Sequence, residues 1–396
     1  MTVRIETLQS ANAHTWDAYV HNHPQGTLYH LSGWKNIIEK TYGHKTYYLM
    51  AVDSSKLKAQ SSKENSIIVN KLSINSCELD SNRVVGILPL VHLKHFLFGN
   101  TVLSIPFFDM SGILAEDEEA EMTLLSEVIN LGRKLKVKTI ELRHAQPLAC
   151  LSHSKQASID DPQNTHLSFD LSALSYITKS HKVRMLLDLP ESSNLLMKSF
   201  KSKLRSQIKK PIKEGLSAKI GGGELLDDFY KVFTVNMRDL GSPVHSKRLM
   251  RNVLLEFPDK SGVVMVYKDD LPIACSMIVG FRDTLENPWA SSLREYSKMS
   301  PNMLLYWTML KYACDNGYKY FDFGRSSPEE GTYRFKEQWG AKPQPLHWHS
   351  ISLNGKPISE DTDEKSEFDK AIQYWQKLPV PVTKVIGPMI RKHIGL

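Results

Sequence analysis

The 396-residue sequence has few of the features that mark membrane-spanning or disulfide-bonded proteins. No apolar run approaches the roughly 18–20 residues needed to cross a bilayer, and the N-terminus has no apolar segment typical of a secretory signal. Only four cysteines are present, and they are widely scattered along the chain. They form neither a disulfide framework nor a metal-binding knuckle. These absences exclude a membrane-spanning protein and a small secreted scaffold, and we expect a cytoplasmic protein.

Motifs of several enzyme classes are also absent from the sequence. There is no G-x-S-x-G nucleophile loop, no Walker loop and no cysteine in a catalytic setting. The fifteen histidines show no metal-ligand spacing, since His92 and His95, like His21 and His23, lack an acidic or Cys partner at ligand spacing. We therefore expect no metal site and no tightly bound cofactor.

What is present is the composition of a soluble globular protein, 41% hydrophobic and 23% charged. At roughly 150 residues per domain, a chain of this length predicts two or three domains. In both Leu124–Arg143 and Leu305–Arg325, a predicted helix ends in a turn and enters a strand with a polar end. This similarity indicates a duplicated β–β–β–α–β unit and an α/β (α+β) fold, with mixed sheets flanked by helices.

The predicted domain boundaries follow changes in composition along the chain. We place an N-terminal domain at 1–175, a C-terminal domain at 176–358 and a helical tail at 359–396. Residues 53–82 are rich in Ser, Asn and Lys, which predicts a long, mobile surface insertion. A strand at His166–Leu171 is expected to close the first domain.

The net charge of +7 is concentrated in two places. Residues 198–219 hold eight Lys and Arg side chains against one Glu, and the last 21 residues hold four against none. Local basic surfaces of this kind attract polyanions such as nucleic acid, pyrophosphate-bearing lipids or an anionic membrane. The rest of the chain is mildly acidic, so we do not expect a DNA-binding protein.

In the first basic segment, apolar residues recur every four positions, at Leu196, Phe200, Leu204, Ile208 and Ile212. This spacing predicts one amphipathic helix, which Pro211 must kink or end. The lysines of this helix, Lys209 and Lys210 among them, have two interpretations. They form either a solvated structural face or a surface that contacts tRNA, pyrophosphate or membrane.

In the tail, apolar residues are interleaved with basic ones beside Trp375. Such a pattern is typical of an interfacial anchor on an anionic inner-membrane surface, which would make the protein a peripheral membrane protein. The pattern is equally compatible with a C-terminal helix that docks on the protein itself.

The most specific stretch of the sequence is Tyr318–Trp348. A predicted strand ends at Asp322–Arg325, and a short helix that carries Phe335 and Lys336 follows. Strand ends and the first turns of the next helices are where α/β folds place ligands. The simpler interpretation is a buried aromatic strand and an amphipathic helix with solvated charges.

This stretch resembles the C-terminal signature of the FemAB-type aminoacyltransferases and their Gram-negative relatives, the FemAB-like or BioF2-like acetyltransferase-domain proteins. Three further segments resemble family motifs: the lysine-rich Phe200–Gly215, the loop Met237–Val244 and the N-terminal Leu28–Lys35. The tail at Ala371–Gly395 resembles tails of the Gram-negative, exopolysaccharide-associated branch.

The resemblance implies two tandem GNAT-like domains and acyl or aminoacyl transfer to an amine of a cell-envelope precursor, peptidoglycan or exopolysaccharide. It implies aminoacyl-tRNA or acyl-CoA as donor, and an envelope polysaccharide or muropeptide precursor as acceptor. The family's Phe-Lys pair carries over onto Phe335 and Lys336. The lysine would stabilise the oxyanion formed by direct attack, and the Phe335 carbonyl would help to take the proton of the amine. Candidate substrate-binding residues are Arg325, Arg334, Arg238, His245, Lys35, Lys209 and Lys210.

Departures from the family pattern leave alternatives open. The family's phosphate-binding arginine appears here as His245, or is shifted to Lys247 or Arg248. Before the helix predicted to start with Ser300 as N-cap and Pro301, the sequence lacks the glycines of a CoA pyrophosphate loop, which argues against tight CoA binding. The alternatives are an acyl-CoA-dependent acetyltransferase of exopolysaccharide biosynthesis, and a catalytically silent scaffold that binds membrane or polyanions.

Overall fold

A computed structural model of the protein describes residues 3–53, 83–96, 98–153, 175–355 and 364–395. The predicted insertion at 53–82, apart from Asp53, and the predicted strand His166–Leu171 lie outside the described residues. Within them, the chain forms two mixed β-sheets with helices packed against their faces.

The first sheet contains eight strands of the described chain. They are β1 (Val3–Thr7), β2 (Lys45–Asp53), β3 (Arg83–His95), β4 (Gly99–Leu103), β5 (Leu114–Ala115), β6 (Thr139–His144), β7 (Ser175–Lys179) and β15 (His347–Ser352). Their order across the sheet is β1-β2-β3-β4-β6-β15-β7, and β5 pairs with β3. β4 and β6 are parallel, whereas the other neighbouring pairs are antiparallel.

The second sheet contains seven strands of the described chain. They are β8 (Val183–Asp188), β9 (Leu216–Gly221), β10 (Ser261–Lys268), β11 (Leu271–Phe281), β12 (Thr284–Ser292), β13 (Tyr320–Ser326) and β14 (Lys342–Pro345). Their order across the sheet is β14-β8-β13-β12-β11-β10-β9. β12 and β13 are parallel, and the other neighbouring pairs are antiparallel.

The helices pack on these sheets and on each other. In the first half they are α1 (Ala13–Asn22), α2 (Gly33–Tyr42), α3 (Glu118–Lys134) and α4 (Ala149–His153). In the second half they are α5 (Ser193–Ser199), α6 (Ser202–Lys213), α7 (Leu226–Asp239), α8 (Lys247–Glu256), α9 (Pro301–Asp315) and α10 (Gly331–Glu337). The tail contains α11 (Glu364–Lys377) and α12 (Val380–Arg391). In each half a long helix, α3 or α9, precedes the second strand of the parallel pair, which confirms the predicted pair of α/β units.

One strand links the two halves. β15 comes late in the chain but lies in the first sheet, where it pairs with β6 on one side and with β7 on the other. Its Ile351 faces Ile140 and Tyr176 across these ladders and is 1% exposed. β15 lies in the predicted C-terminal domain, 176–358, but belongs to the first sheet. The predicted boundary at 175/176 therefore does not coincide with the division between the two sheets.

Local sequence explains where the long helices begin. At the start of α3, the Asp117 side chain accepts a hydrogen bond from the amide of Ala120 at 2.8 Å. α9 begins at Pro301, as predicted, because proline suits the first helical position. Ser300 occupies the N-cap position, as predicted, but its backbone is left-handed (φ 59°) and its side chain makes no capping hydrogen bond.

The predicted single basic helix is in fact two helices, α5 and α6. Phe200 and Lys201 between them have extended backbones, and Phe200 is buried. The Phe200 carbonyl accepts a hydrogen bond from Arg205 Nη1 at 2.9 Å, which stabilises the break. Pro211 lies in the last turn of α6, and the helix ends soon after it, at Lys213.

A continuous apolar core joins the two halves. It contains Trp16 and Trp34 of the first half with Phe229 and Met250 of the second, all of them fully buried. Two further cores lie on the opposite faces of the sheets, against α3 and against α9. Because the two sheets share one core, residues from both halves meet at their junction, where ligand sites commonly form.

The C-terminal tail docks on the protein. Trp375 of α11 is buried, and Gln376 Nε2 donates a hydrogen bond to the Asp239 carbonyl at 3.0 Å. Arg238 Nη1 donates to the Leu378 carbonyl at 3.2 Å. In the part of the chain that the structure describes, no helix is long and apolar enough to cross a membrane.

Candidate active site

The two parallel strands of the second sheet diverge at the junction of the halves. β12 and β13 pair only over Thr284–Glu286 and Tyr320–Asp322, after which β13 continues its pairing with β8 alone. A bulge follows Asp322, and Gly324 within it has a left-handed backbone (φ 73°) that favours glycine. The divergence opens the sheet edge toward α10.

Lys336 of α10 is buried at this opening, with 7% of its surface exposed. Its ammonium donates hydrogen bonds to the carbonyls of Arg325 (2.7 Å) and Gly324 (3.1 Å). Burial lowers the Lys336 pKa to about 8, although the charges of Asp322 and Asp109 oppose this shift. An ammonium has three donors, so the two carbonyls leave one N–H for a ligand.

A buried ion pair supports the bulge. The Asp322 carboxylate, 2% exposed, accepts hydrogen bonds from Arg184 Nε at 2.6 Å and from the Gly324 amide at 2.7 Å. Both contacts fix the backbone whose carbonyls bind Lys336. Asp322 therefore holds the binding geometry of the lysine.

Glu286 lies opposite Asp322 in the register of β12 and β13 and is also buried. The Tyr29 hydroxyl of the first half donates a hydrogen bond to it. Burial, followed by the negative charge of Asp322, raises the Glu286 pKa to about 8. The ionised form of the Glu286 carboxyl is therefore disfavoured in this site.

The first half also contributes Asp109, which lies between β4 and β5. Its carboxylate pairs with Arg325 Nη1 at 2.9 Å, and its carbonyl accepts a hydrogen bond from Trp348 Nε1 at 3.1 Å. Arg325 and Arg143 lie over the Trp348 ring, 5.1 and 4.6 Å from its centroid. Burial raises the Asp109 pKa, while the Arg325 charge opposes this shift.

Phe335, the predicted partner of Lys336, lies in an aromatic cluster. Its ring packs edge-on against Tyr306 at 5.0 Å and against Trp339 at 6.3 Å. Tyr306 in turn stacks on Phe323 of β13 at 5.4 Å. These contacts hold α10 against the sheet, so the Phe335 side chain positions the helix that carries Lys336.

This arrangement suits stabilisation of a negative charge that forms during acyl transfer. Lys336 stays cationic at neutral pH because its pKa of about 8 lies above 7. A single hydrogen-bond donor aimed at a tetrahedral oxyanion in a water-poor site is typically worth about 10²–10³-fold in rate. The structure therefore brings together two of the predicted residues, Lys336 and Arg325, in a setting with suitable chemistry.

Two other predicted contact residues lie elsewhere and hold parts of the fold. Lys35 pairs with Glu39, one turn along α2, at 2.9 Å. Arg238 pairs with Asp239 at 2.6 Å and also binds the Leu378 carbonyl of the tail. A role in substrate binding stays a prediction for both.

His245, another predicted contact, is buried near the junction. Its Nε2 accepts a hydrogen bond from Arg391 Nε at 3.0 Å. Nδ1 therefore carries the proton and donates to the Tyr42 hydroxyl, also at 3.0 Å. Burial, followed by the Arg391 charge, lowers the His245 pKa. His245 is thus a neutral acceptor that holds an arginine of the tail.

The remaining predicted contacts, Arg334, Lys209 and Lys210, are exposed. Arg334 is two positions from Lys336, which places it on the opposite face of α10. It lines a groove of about 870 Å³ between α10, α5, α6 and the end of β8, together with Lys201. The basic surface of α6 is therefore separate from Lys336.

Four residues of the site are absent from the sequence predictions: Tyr29, Asp109, Arg184 and Glu286. Arg184 and Glu286 do carry a signal, because each is a charged residue within a strand and such residues are seldom buried without partners. Asp109 lies in a loop and Tyr29 in a single 3-10 turn, Leu28–His30, and only the packing of the two halves brings them to the junction.

The described residues offer no obvious place for a metal ion. Among them, no group of three or more His, Cys, Asp or Glu side chains is arranged to hold one. Cys150, Cys275 and Cys314 are free thiols and are buried.

The second half of the chain matches a known protein family. Residues 198–337 match the model of an acetyltransferase (GNAT) domain. The match contains β12, β13 and α10, and with them Lys336, Arg325, Asp322 and Glu286. It shows that the protein is an acyltransferase.

Solved structures share the fold at low sequence identity. FemX is 14% identical, with a TM-score of 0.61 over 89% of this chain and 98% of FemX. A conserved protein of unknown function from Bacteroides thetaiotaomicron VPI-5482 is 10% identical, with a TM-score of 0.52 over 89% of this chain and 100% of its own. A tandem GNAT protein from the clavulanic acid biosynthesis pathway, 10% identical, has a TM-score of 0.49 over 90% and 100%. No protein of curated function matches the chain in sequence. The match to FemX thus confirms the resemblance to the FemAB-type proteins in the fold.

The buried ion pair predicts a large loss of stability when one charge is removed. Asp322→Asn leaves the Arg184 charge buried without a partner, so we expect the free energy of unfolding to fall by about 3–5 kcal/mol at neutral pH. Urea denaturation measures this loss. Asp188→Asn breaks the exposed pair with Lys342 and serves as the matched control, expected to cost less than about 1 kcal/mol.

The double variant Arg184→Met/Asp322→Asn removes both charges, so it should recover part of the stability lost in Asp322→Asn. Equal losses in Asp322→Asn and in the Asp188→Asn control would contradict the structural role assigned to this pair.

Proposed function

Because this chain shares the fold of FemX and residues 198–337 match an acetyltransferase (GNAT) domain, we propose that it is a FemAB-like acyltransferase that transfers an acyl or aminoacyl group to an amine of a cell-envelope precursor. The observation that carries the proposal is Lys336, a buried cation at the opening between β12 and β13. We propose a muropeptide or an envelope polysaccharide precursor as acceptor, for peptidoglycan or exopolysaccharide. The fold shared with FemX over 89% of this chain supports this choice.

In the proposed reaction, the acceptor amine attacks the carbonyl carbon of the donor ester or thioester directly. A C–N bond forms, the C–O or C–S bond breaks, and the proton of the amine passes to the leaving oxygen or sulfur. The third N–H of Lys336 donates to the oxyanion that forms in between. Asp109, whose carboxylate is 25% exposed, relays the proton. Holding both reactants at the junction makes a covalent enzyme intermediate unnecessary.

Two donors fit this chemistry, acyl-CoA and aminoacyl-tRNA. The match to an acetyltransferase domain favours acyl-CoA. The exposed lysines of α6 favour tRNA, whose phosphates would bind with a strong dependence on salt. Transfer assays with each donor and the purified protein decide between them, and inactivity with both would favour the catalytically silent scaffold.

The proposal predicts that Lys336→Ala loses activity while the protein stays folded. We expect the transfer rate to fall about 10²–10³-fold, because one charged donor to the oxyanion is removed. Lys342→Ala removes an exposed lysine of β14 and serves as the control, expected to keep the wild-type rate. Full activity in Lys336→Ala, with an unchanged melting temperature, would show that this residue is not catalytic.

The Lys336 pKa of about 8 also predicts how the rate depends on pH. The cation is present below this pKa and is lost above it, so kcat/KM should decline as the pH rises through about 8. Lys336→Arg keeps its charge in this range and should flatten the decline, at a lower overall rate. If the decline is the same in Lys336→Arg, it belongs to another group, such as Glu286.

We also propose that the protein associates peripherally with an anionic membrane through a defined surface. On α12, Val382, Val385 and Met389 are 42%, 67% and 63% exposed, and their spacing places them on one face of the helix. Phe96 and Phe98, in the turn between β3 and β4, are 87% and 47% exposed. Large apolar side chains that are exposed together mark an interaction surface.

The turn and the tail lie next to each other. The His393 ring, just beyond α12, lies 4.2 Å from the His95 ring and 6.1 Å from the Phe98 ring. Lys384 and Lys392 of the tail add positive charge beside the apolar residues. An apolar surface with basic residues beside it matches the interface of an anionic bilayer.

Two charged substitutions on the exposed face of α12 should weaken this association. We expect Val385→Glu/Met389→Glu to bind vesicles that contain phosphatidylglycerol at least about tenfold more weakly than wild type, because apolar contact is lost and repulsion is added. Leu255→Glu changes an equally exposed leucine on α8 and serves as the control. Co-sedimentation measures the bound fraction. Equal binding of the double variant and wild type, or no binding by wild type, would contradict the proposal.

A further inference from the structure

The tail brings one of its cations to the junction of the two halves. In α12, which packs against α7 of the second half, Thr383 and Gly387 are buried. Gly387 lies so close to Val244 that an added Cβ would come within 3.0 Å of the Val244 amide nitrogen. This close approach directs the end of the helix, Arg391, to His245, whose Nε2 it reaches at 3.0 Å.

The residues beyond α12 are bound to the first half. The Lys392 carbonyl accepts a hydrogen bond from His44 Nε2 at 2.7 Å. The Gly395 carbonyl accepts two, from the Phe107 amide at 2.7 Å and from Arg143 Nη1 at 3.2 Å. The end of the helix is therefore fixed from both sides, by the second half before it and by the first half after it.

Three arginines lie near one another at the junction, and two of them pair with carboxylates. Arg143 pairs with Glu141 at 2.6 Å, and Arg325 pairs with Asp109 at 2.9 Å. Arg391 has no carboxylate partner among the described residues. Its Nε donates a hydrogen bond to the neutral imidazole of His245. Burial and the charges of Arg325 and Arg143 lower the Arg391 pKa to about 10. Of these three arginines, Arg391 is the one without a paired carboxylate among the described residues.

We propose that Arg391 binds an anionic group of the acceptor, a phosphate of a phosphate-bearing precursor. A half-buried cation beside like charges is unfavourable unless an anion compensates it. The two Nη nitrogens of Arg391 make no hydrogen bond within the described chain, and together they form the planar fork that suits phosphate. The Phe107 ring, 5.7 Å from the guanidinium, limits the orientations of this fork.

The tail is then part of the substrate site as well as a docked extension. The identity of the acceptor rests on the proposed function, whereas the phosphate site itself follows from the geometry. The two can fail separately. Phosphate binding through Arg391 without any acyl transfer would overturn the proposed function alone.

Inorganic pyrophosphate is a suitable probe of the site. We expect titration calorimetry on the full-length protein to show pyrophosphate binding that weakens at least about tenfold in Arg391→Ala, because charge-assisted hydrogen bonds are lost. Arg391→Lys, which keeps the charge but not the fork, should bind with intermediate affinity. Lys377→Ala removes an exposed charge of the same tail and should bind like wild type.

A second measurement needs no variant and so does not depend on how Arg391→Ala folds. Pyrophosphate should slow the modification of Arg391 by phenylglyoxal in the wild-type protein, as followed by peptide mass spectrometry. Wild-type affinity in a folded Arg391→Ala variant would overturn the proposal. So would unprotected modification of Arg391 at saturating pyrophosphate, or no pyrophosphate binding at all.

Discussion

A buried ammonium requires hydrogen-bond acceptors and opposite charges, and Lys336 obtains them from several parts of the chain at once. Its acceptors are the carbonyls of Gly324 and Arg325, which a bulge in β13 turns toward α10. The bulge in turn depends on Asp322, which is held by Arg184. Desolvation would otherwise neutralise the lysine. The polar junction is therefore one linked arrangement, in which each charge keeps the next in place.

This dependence extends across the two halves of the protein. Asp109 of the first half pairs with Arg325, the residue whose carbonyl binds Lys336. Tyr29, also of the first half, bonds Glu286 beside Asp322. The polar arrangement around Lys336 is complete only when the two halves are packed on their shared core, so its geometry and the packing of the halves are physically coupled.

The sequence predicts those parts of the structure that local interactions decide. The periodicity of α3, the proline at the start of α9 and the strand that ends in Arg325 are all local features, and the structure agrees with them. Lys336 and Arg325 can be predicted from the sequence because they lie in one continuous motif. Asp109 and Tyr29 cannot, since their approach to the site depends on tertiary packing that leaves no periodic signal. The break at Phe200 has the same cause, because a buried ring overrides the helical spacing around it.

The place of β15 has a consequence for how the protein folds during synthesis. This strand lies between β6 and β7, so the first sheet stays incomplete until Ser352 has been synthesised. Until then β6 and β7 have unpaired edges, and such edges are prone to pair with other chains. Domains usually fold in order from the N-terminus. Here the first half must wait for the second, and the nascent chain carries open strands through most of its translation.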